Sequence, residues 1–220
     1  MKMFLIKNFL ALMITAQVLI FSSIGNAAPN IVDKPVLWNN YRDQLTREYA
    51  ERHYGISTTM IEPRAVVVHW TAGSTWESAY YTFYDETRGD GSGTVNVSSQ
   101  FIVDRDGTIY RTMPENKLAR HVIGYNWCAI GIENVGGVNN VEDLTAEQLQ
   151  ANIELIRYLH EKFPTIEYVF GHYQQVAARE SGLYIEHVQG YYSIKEDPGK
   201  IFMRGLREAL EGDGFKFFSE

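Results

Sequence analysis

The sequence predicts an α/β fold, a sheet with helices packed on it, and three stretches carry that reading. Residues 65–73, AVVVHWTAG, set four apolar, mostly β-branched side chains before His69 and then turn at Ala72–Gly73, as a short buried strand does. Residues 98–104 and 108–112 are β-rich runs joined through Arg105-Asp106-Gly107, and Asp-Gly between such runs is a strong hairpin signal. Leu144–Phe163 repeats Leu149, Ile153, Ile156, Leu159 and Phe163 at helical spacing behind a Thr145–Gln148 capping box.

The N-terminus reads as an address. Lys2 and Lys7 precede an apolar run from Phe9 to Phe21, and small residues follow as far as Ala28. This is the pattern of a cleaved signal peptide, residues 1–27, with the cut after Ala27. An uncleaved anchor is the alternative, but the run is shorter than the ~20 residues of a span. Residues 28–37 form an extended lead-in, 38–212 one domain and 213–220 a frayed tail. Export would place the domain in a periplasm or outside the cell. Cys128 is the only cysteine, so no intramolecular disulfide can form and the core must hold the fold alone. The formal net charge of −7, more negative still without Lys2 and Lys7, argues against nucleic acid or an anionic membrane as partner.

Taken in order, Trp38, Tyr41, Leu45 and Tyr49 mark one face of a helix, with Asn39 or Asn40 as its cap and Gly55 past its end. Thr75–Glu86 carries Trp76, Tyr80, Phe83 and Tyr84 at helical spacing. That stripe is read as core; one or two of its rings at a groove wall is the alternative. Residues 87–97 form a Gly-rich rim without a phosphate-binding motif. Asn126–Val135 is an alternating strand with Cys128, Ile130, Ile132 and Asn134 on one face and Ala129, Gly131 and Glu133 on the other. Glu133 thus shares its face with small residues only. His160 is a partly exposed bystander on the long helix. Glu167–Phe170 is a strand that ends at Gly171-His172. Residues 173–194 are irregular and Tyr-rich, a length that usually serves function or holds a short helix. Asp197 and Pro198 suit the cap and first position of a last helix through Ile201, Leu206 and Leu210.

His69, His172 and Asp197 each stand at an element end. A lone histidine there is either a satisfied core residue or a ligand. Two imidazoles and one carboxylate are the number and type a catalytic zinc takes, with the fourth position left for water. Their wide separation in sequence is unlike the compact H-E-x-x-H helix. Cys128 reads as buried, which argues against a cysteine nucleophile.

The blocks VVVHWTAG, SSQFIVDRDGTIYR, ARHVIGYNWCAIGIENVG, YVFGH and KEDPG resemble the zinc-dependent N-acetylmuramoyl-L-alanine amidases of the type-2 group, whose fold is shared with peptidoglycan recognition proteins. The resemblance runs from about residue 36 to 211, and LTREYAERHYG resembles an N-terminal helix of one branch. It implies a single domain with a central mixed sheet flanked by helices. It implies one zinc ion on His69, His172 and Asp197. Glu133 would act on the water or the tetrahedral intermediate, Lys195 on the oxyanion and substrate, and His121 and Asn126 would line the substrate groove. Two departures stand out. Gln100 replaces a histidine often found before the hairpin, and the longer segment after His172 makes His187 a rival third ligand. The implied reaction is hydrolysis of the amide between muramic acid and L-alanine in peptidoglycan or muropeptides, by a chain expected to act as a monomer. A non-catalytic wall-binding module on the same fold is the alternative, and hydrolysis of a different amide is a third reading.

Overall fold

The computed structural model describes residues 28–89 and 91–219, so the expected signal segment, 1–27, lies outside the described residues. Six strands, β1 (Ile31–Asp33), β2 (Ala65–Trp70), β3 (Phe101–Val103), β4 (Ile109–Arg111), β5 (Ala129–Asn134) and β6 (Tyr168–Gly171), form one sheet in the order β1-β4-β3-β5-β2-β6. Neighbours run parallel except the β3–β4 hairpin. Among the described residues four α-helices accompany it: α1 (Asn40–Tyr54), α2 (Trp76–Tyr84), α3 (Ala146–Lys162) and α4 (Lys200–Ala209). The expected mixed α/β sheet with flanking helices is therefore the observed fold. No helix among the described residues is long and apolar enough to cross a membrane.

β2 lies between β5 and β6 and is buried along its whole length, which is why it reads as a continuous apolar run rather than an alternating one. Side chains alternate across a strand. Val66 and Val68 join Ile130, Ile132, Leu155, Ile156 and Leu206 in the core under α3 and α4. Ala65 and Val67 face the other way, with Tyr125, Ala129 and Phe170. His69 and Glu133 follow on that second face.

Local chemistry accounts for the helix ends. Asn39, not Asn40, caps α1: its Oδ1 accepts from the backbone of Tyr41 and Arg42, and Gly55 closes the helix in the left-handed region. Arg42, buried, donates to the carbonyls of Leu37, Phe83 and Asp85 and so ties α1 to the end of α2. The Thr145–Gln148 box closes both ways.

Several expectations need correction. The lead-in supplies a strand, β1, which pairs with β4 at the sheet edge. The predicted strand 126–135 begins only at Ala129, because Cys128 N–H turns back to Tyr125 O. Only Phe83 of the α2 aromatic stripe is fully buried; Trp76 stacks on Tyr110 and Tyr84 is exposed. Asp197 and Pro198 do not start α4. Gly199 holds the cap position and Glu142 Oε1 accepts Phe202 N–H from across the chain, while the Asp197 carboxylate is engaged elsewhere. In α4, Phe202, Met203 and Leu206 carry the buried face and Ile201 is exposed. The tail is not frayed: Lys216 exchanges backbone hydrogen bonds with Glu167 and Val169, and Phe218 is buried against Phe170.

Candidate metal centre and groove

Strand register brings the site together. Val68 pairs with Gly171 and His69 with Glu133, so His69 is level with His172 on one side and Glu133 on the other. These are the carboxyl ends of parallel strands, where open α/β sheets place their ligands. Asp197 arrives from a loop fixed by Tyr173 N–H on Asp197 O. That approach needs Gly171. A Cβ there would stand 2.8 Å from Pro198 Cδ and 2.9 Å from Met203 Cγ.

Three side-chain atoms converge. His69 Nδ1 lies 2.9 Å from His172 Nδ1 and 3.0 Å from Asp197 Oδ2, and His172 Nδ1 lies 3.1 Å from the same oxygen. All three residues are buried, at 1%, 5% and 7% exposure. Buried polar atoms crowded on one point need a shared positive partner, a proton or a cation. Burial, reinforced by His172, holds the His69 imidazole down at about 4 against the pull of Asp197, so its ring is neutral near pH 7. Burial would raise the Asp197 carboxyl, but its contacts with His172 and His69 hold it far below the usual range. Neutral imidazole beside ionised carboxylate is a metal-binding donor set, and the group can hold a metal ion.

Glu133 stands next to this triangle. Its Oε2 is buried without a hydrogen-bond partner among the described residues. Burial, then repulsion by Asp197, pushes its carboxyl well above the usual range, with Lys195 acting against both. These residues line a groove of about 610 Å³ whose wall includes Phe83, Asn140, Arg88 and Arg120. Phe83 is thus the one ring of the α2 stripe at the groove.

The remaining candidates fall in different places. His121 does line the groove, yet its ring is spent on the protein: Nδ1 is 3.0 Å from His69 Nε2 and Nε2 is 3.2 Å from Ala129 O. Asn126 is not at the groove. It is buried at 1%, where its Oδ1 accepts from the backbone of His121 and Val122 and its Nδ2 donates to the Tyr49 and Tyr54 hydroxyls. The small residue on the Glu133 face, Gly131, does not leave empty space there, because a Cβ at Gly131 would meet the His121 ring at 2.8 Å. His187 is packed by Gly55, its N–H on His53 O, and Asp197 is the residue that joins the two imidazoles. Gln100 is buried and structural, with Oε1 accepting Gly131 N–H and Nε2 donating to Lys117 O.

Sequence reasoning missed two sets of contributors, three residues in all. Asn134 donates to His69 O and pairs with Asn152 of α3, holding the ligand strand from below. Trp70 and Asn140 border the groove. An asparagine alternating with isoleucines on a buried face was a usable signal for Asn134; that Trp70 at the end of β2 and Asn140 meet at one groove depends on how distant segments come together.

Comparison with known proteins follows the same lines. The N-acetylmuramoyl-L-alanine amidase LysCS from Clostridium intestinale, an endolysin, superposes with a TM-score of 0.55 at 23% identity, over 85% of this chain and 99% of that one. LysC from the same organism gives 0.54 at 24%, over 83% and 98%. Bumblebee PGRP-SA gives 0.51 at 18%, over 84% and 95%. At such identities the likeness is one of fold. No curated protein matches the chain. The sequence profile of one family spans residues 59–200, from before β2 to the start of α4, and with it every residue of the triangle and the groove. The chain belongs to the N-acetylmuramoyl-L-alanine amidase family.

Proposed function

We propose that this chain is an exported zinc amidase that hydrolyses the amide between N-acetylmuramic acid and L-alanine of peptidoglycan or muropeptides. The observation that carries the reading is the buried His69–His172–Asp197 triangle with the Glu133 carboxylate beside it in one groove. The donor set fits zinc. His69 Nδ1, His172 Nδ1 and Asp197 Oδ2, buried and 2.9–3.1 Å from one another, would hold the ion. Zinc held there supplies Lewis acidity toward a carbonyl and makes water acidic near neutrality.

The chain's own groups supply the rest. Glu133, held in a desolvated position, takes the proton of the attacking water and passes it to the leaving amine. Lys195 lines the groove next to Asp197 and offers its ammonium to the oxygen that gains charge. Arg88 and Arg120 put positive charge on the groove wall of an acidic protein, which suits the carboxylates of stem peptides. Residues 1–27 supply the export signal.

The test is digestion of purified sacculi by the mature chain, with mass spectrometry of the fragments. Release of stem peptides with a free L-alanine amine, abolished by a chelator and restored by Zn²⁺, is the expected result. Unchanged release after full metal removal overturns the zinc reading. Binding to sacculi with no product over long incubation replaces the enzyme by a binding module.

A further inference from the structure

His121 sits in the groove but both of its ring nitrogens are engaged by the protein. Nε2 lies 3.2 Å from the carbonyl oxygen of Ala129. A carbonyl carries no proton, so Nε2 of His121 must be the donor of that bond. In a neutral ring Nδ1 is then a bare acceptor. Nδ1 lies 3.0 Å from Nε2 of His69, and the two rings meet edge-on, with centroids 5.1 Å apart and planes at 90°. The only proton that contact can use is one on His69 Nε2. His69 then keeps none on Nδ1, the nitrogen aimed at His172 and Asp197.

We propose that His121 is a positioning residue that sets the tautomer of His69, rather than a substrate contact: the Ala129 carbonyl orients His121, and His121 orients His69 so that a bare Nδ1 faces the metal position. This rests on the metal-centre reading above. Its supports hold the His121 ring in place on several sides. Gly131 leaves room for the ring, since a Cβ would stand 2.8–2.9 Å from three of its atoms. Gln100 Oε1 fixes Gly131 N–H at 2.7 Å. Asn126 Oδ1 fixes the backbone N–H of His121 at 2.9 Å and of Val122 at 2.8 Å. The other imidazole of the triangle has no such partner among the described residues: His172 Nε2 is buried without a hydrogen bond to any of them. The arrangement is therefore specific to His69. Partners behind a metal-bound imidazole fix its tautomer and orientation, and losing one costs roughly 10–100-fold in metal affinity.

Two measurements on the mature chain test it. The first is long-range ¹H–¹⁵N NMR of the ring nitrogens in chelated protein, which needs neither metal nor turnover. Both His69 and His121 should be in the Nε2–H form. His69 in the Nδ1–H form overturns the proposal. The second is Zn²⁺ affinity of His121→Asn and His121→Leu by competition with a chromophoric chelator. Asparagine offers Oδ1 near the position of Nδ1, and leucine offers no acceptor, while both remove similar ring volume. The leucine variant should bind Zn²⁺ about 10–100-fold more weakly, and the asparagine variant should recover most of that loss. Equal weakening in both reduces His121 to packing and overturns the proposal, as does no weakening in either. A wild-type chain that binds no Zn²⁺ at all sinks the metal reading instead, and the NMR result then decides the tautomer question by itself.

Discussion

Replacing Glu133 by glutamine should slow the enzyme and stabilise the metal-free fold at once. The carboxylate lies in the groove with Oε2 buried and unpartnered among the described residues, and burial followed by repulsion from Asp197 raises its pKa well above 4.5. The sign follows from proton linkage. Above pH 4.5 the unfolded chain releases the Glu133 proton while the folded chain keeps it, so stability falls as pH rises from there to the raised folded value, and stays lower beyond it. Glutamine has no proton to release and escapes that loss. An ionised group left without partners costs about 2 kcal/mol, which for a domain of this size is about 4–8 °C in melting temperature. Thermal melts of chelated wild type and Glu133→Gln should coincide near pH 4 and separate by that amount by pH 8, the variant melting higher. Sacculus digestion by the zinc-loaded variant should fall by about 10²–10⁴-fold, the usual weight of a general acid–base group. Turnover within tenfold of wild type removes Glu133 from proton transfer. Melts that stay superimposed across the range mean that the carboxylate is solvated after all.

Three other expectations concern the frame around the site. Gly137 has φ +74° and a Cβ there would stand 2.2 Å from the Trp70 ring, so Gly137→Ala should cost about 2 kcal/mol or more in urea unfolding and raise KM by displacing Trp70 from the groove edge; wild-type values for both mean that the turn relaxes freely. Burial pushes the Cys128 thiol up to about 12, so a thiol reagent at pH 8 should leave the native chain unlabelled and react with one thiol in guanidinium; rapid native labelling places Cys128 at the surface. Phe218 is buried against Phe170 and Tyr168, and Phe218→Ala should cost about 3 kcal/mol; an unchanged melt returns the tail to a frayed end.

The elements that local chemistry specifies were legible in the sequence. The AVVVHW strand, the Asp-Gly hairpin and the Thr145–Gln148 box each depend on residues within a few positions of one another, and the structure forms all three. His69, His172 and Asp197 were legible as candidate ligands from their residue types at element ends and from the family resemblance, and the structure brings the three together. What those atoms do together was not legible. Asp197 reads as a helix cap from its neighbours alone, because Asp-Pro-Gly satisfies the local rule; a competing and stronger claim on its carboxylate comes from His69, 128 positions away. Asn126 reads as a groove residue, yet two tyrosine hydroxyls from α1 and two backbone amides use up its side chain. The tail looks free by composition and is pinned by β6. Short-range propensity is decided by a side chain and its chain neighbours, so sequence suffices for it. The partner of a polar atom is decided by which strands lie side by side and in what register, and only the folded chain brings residues 69, 133, 172 and 197 to the same end of the sheet.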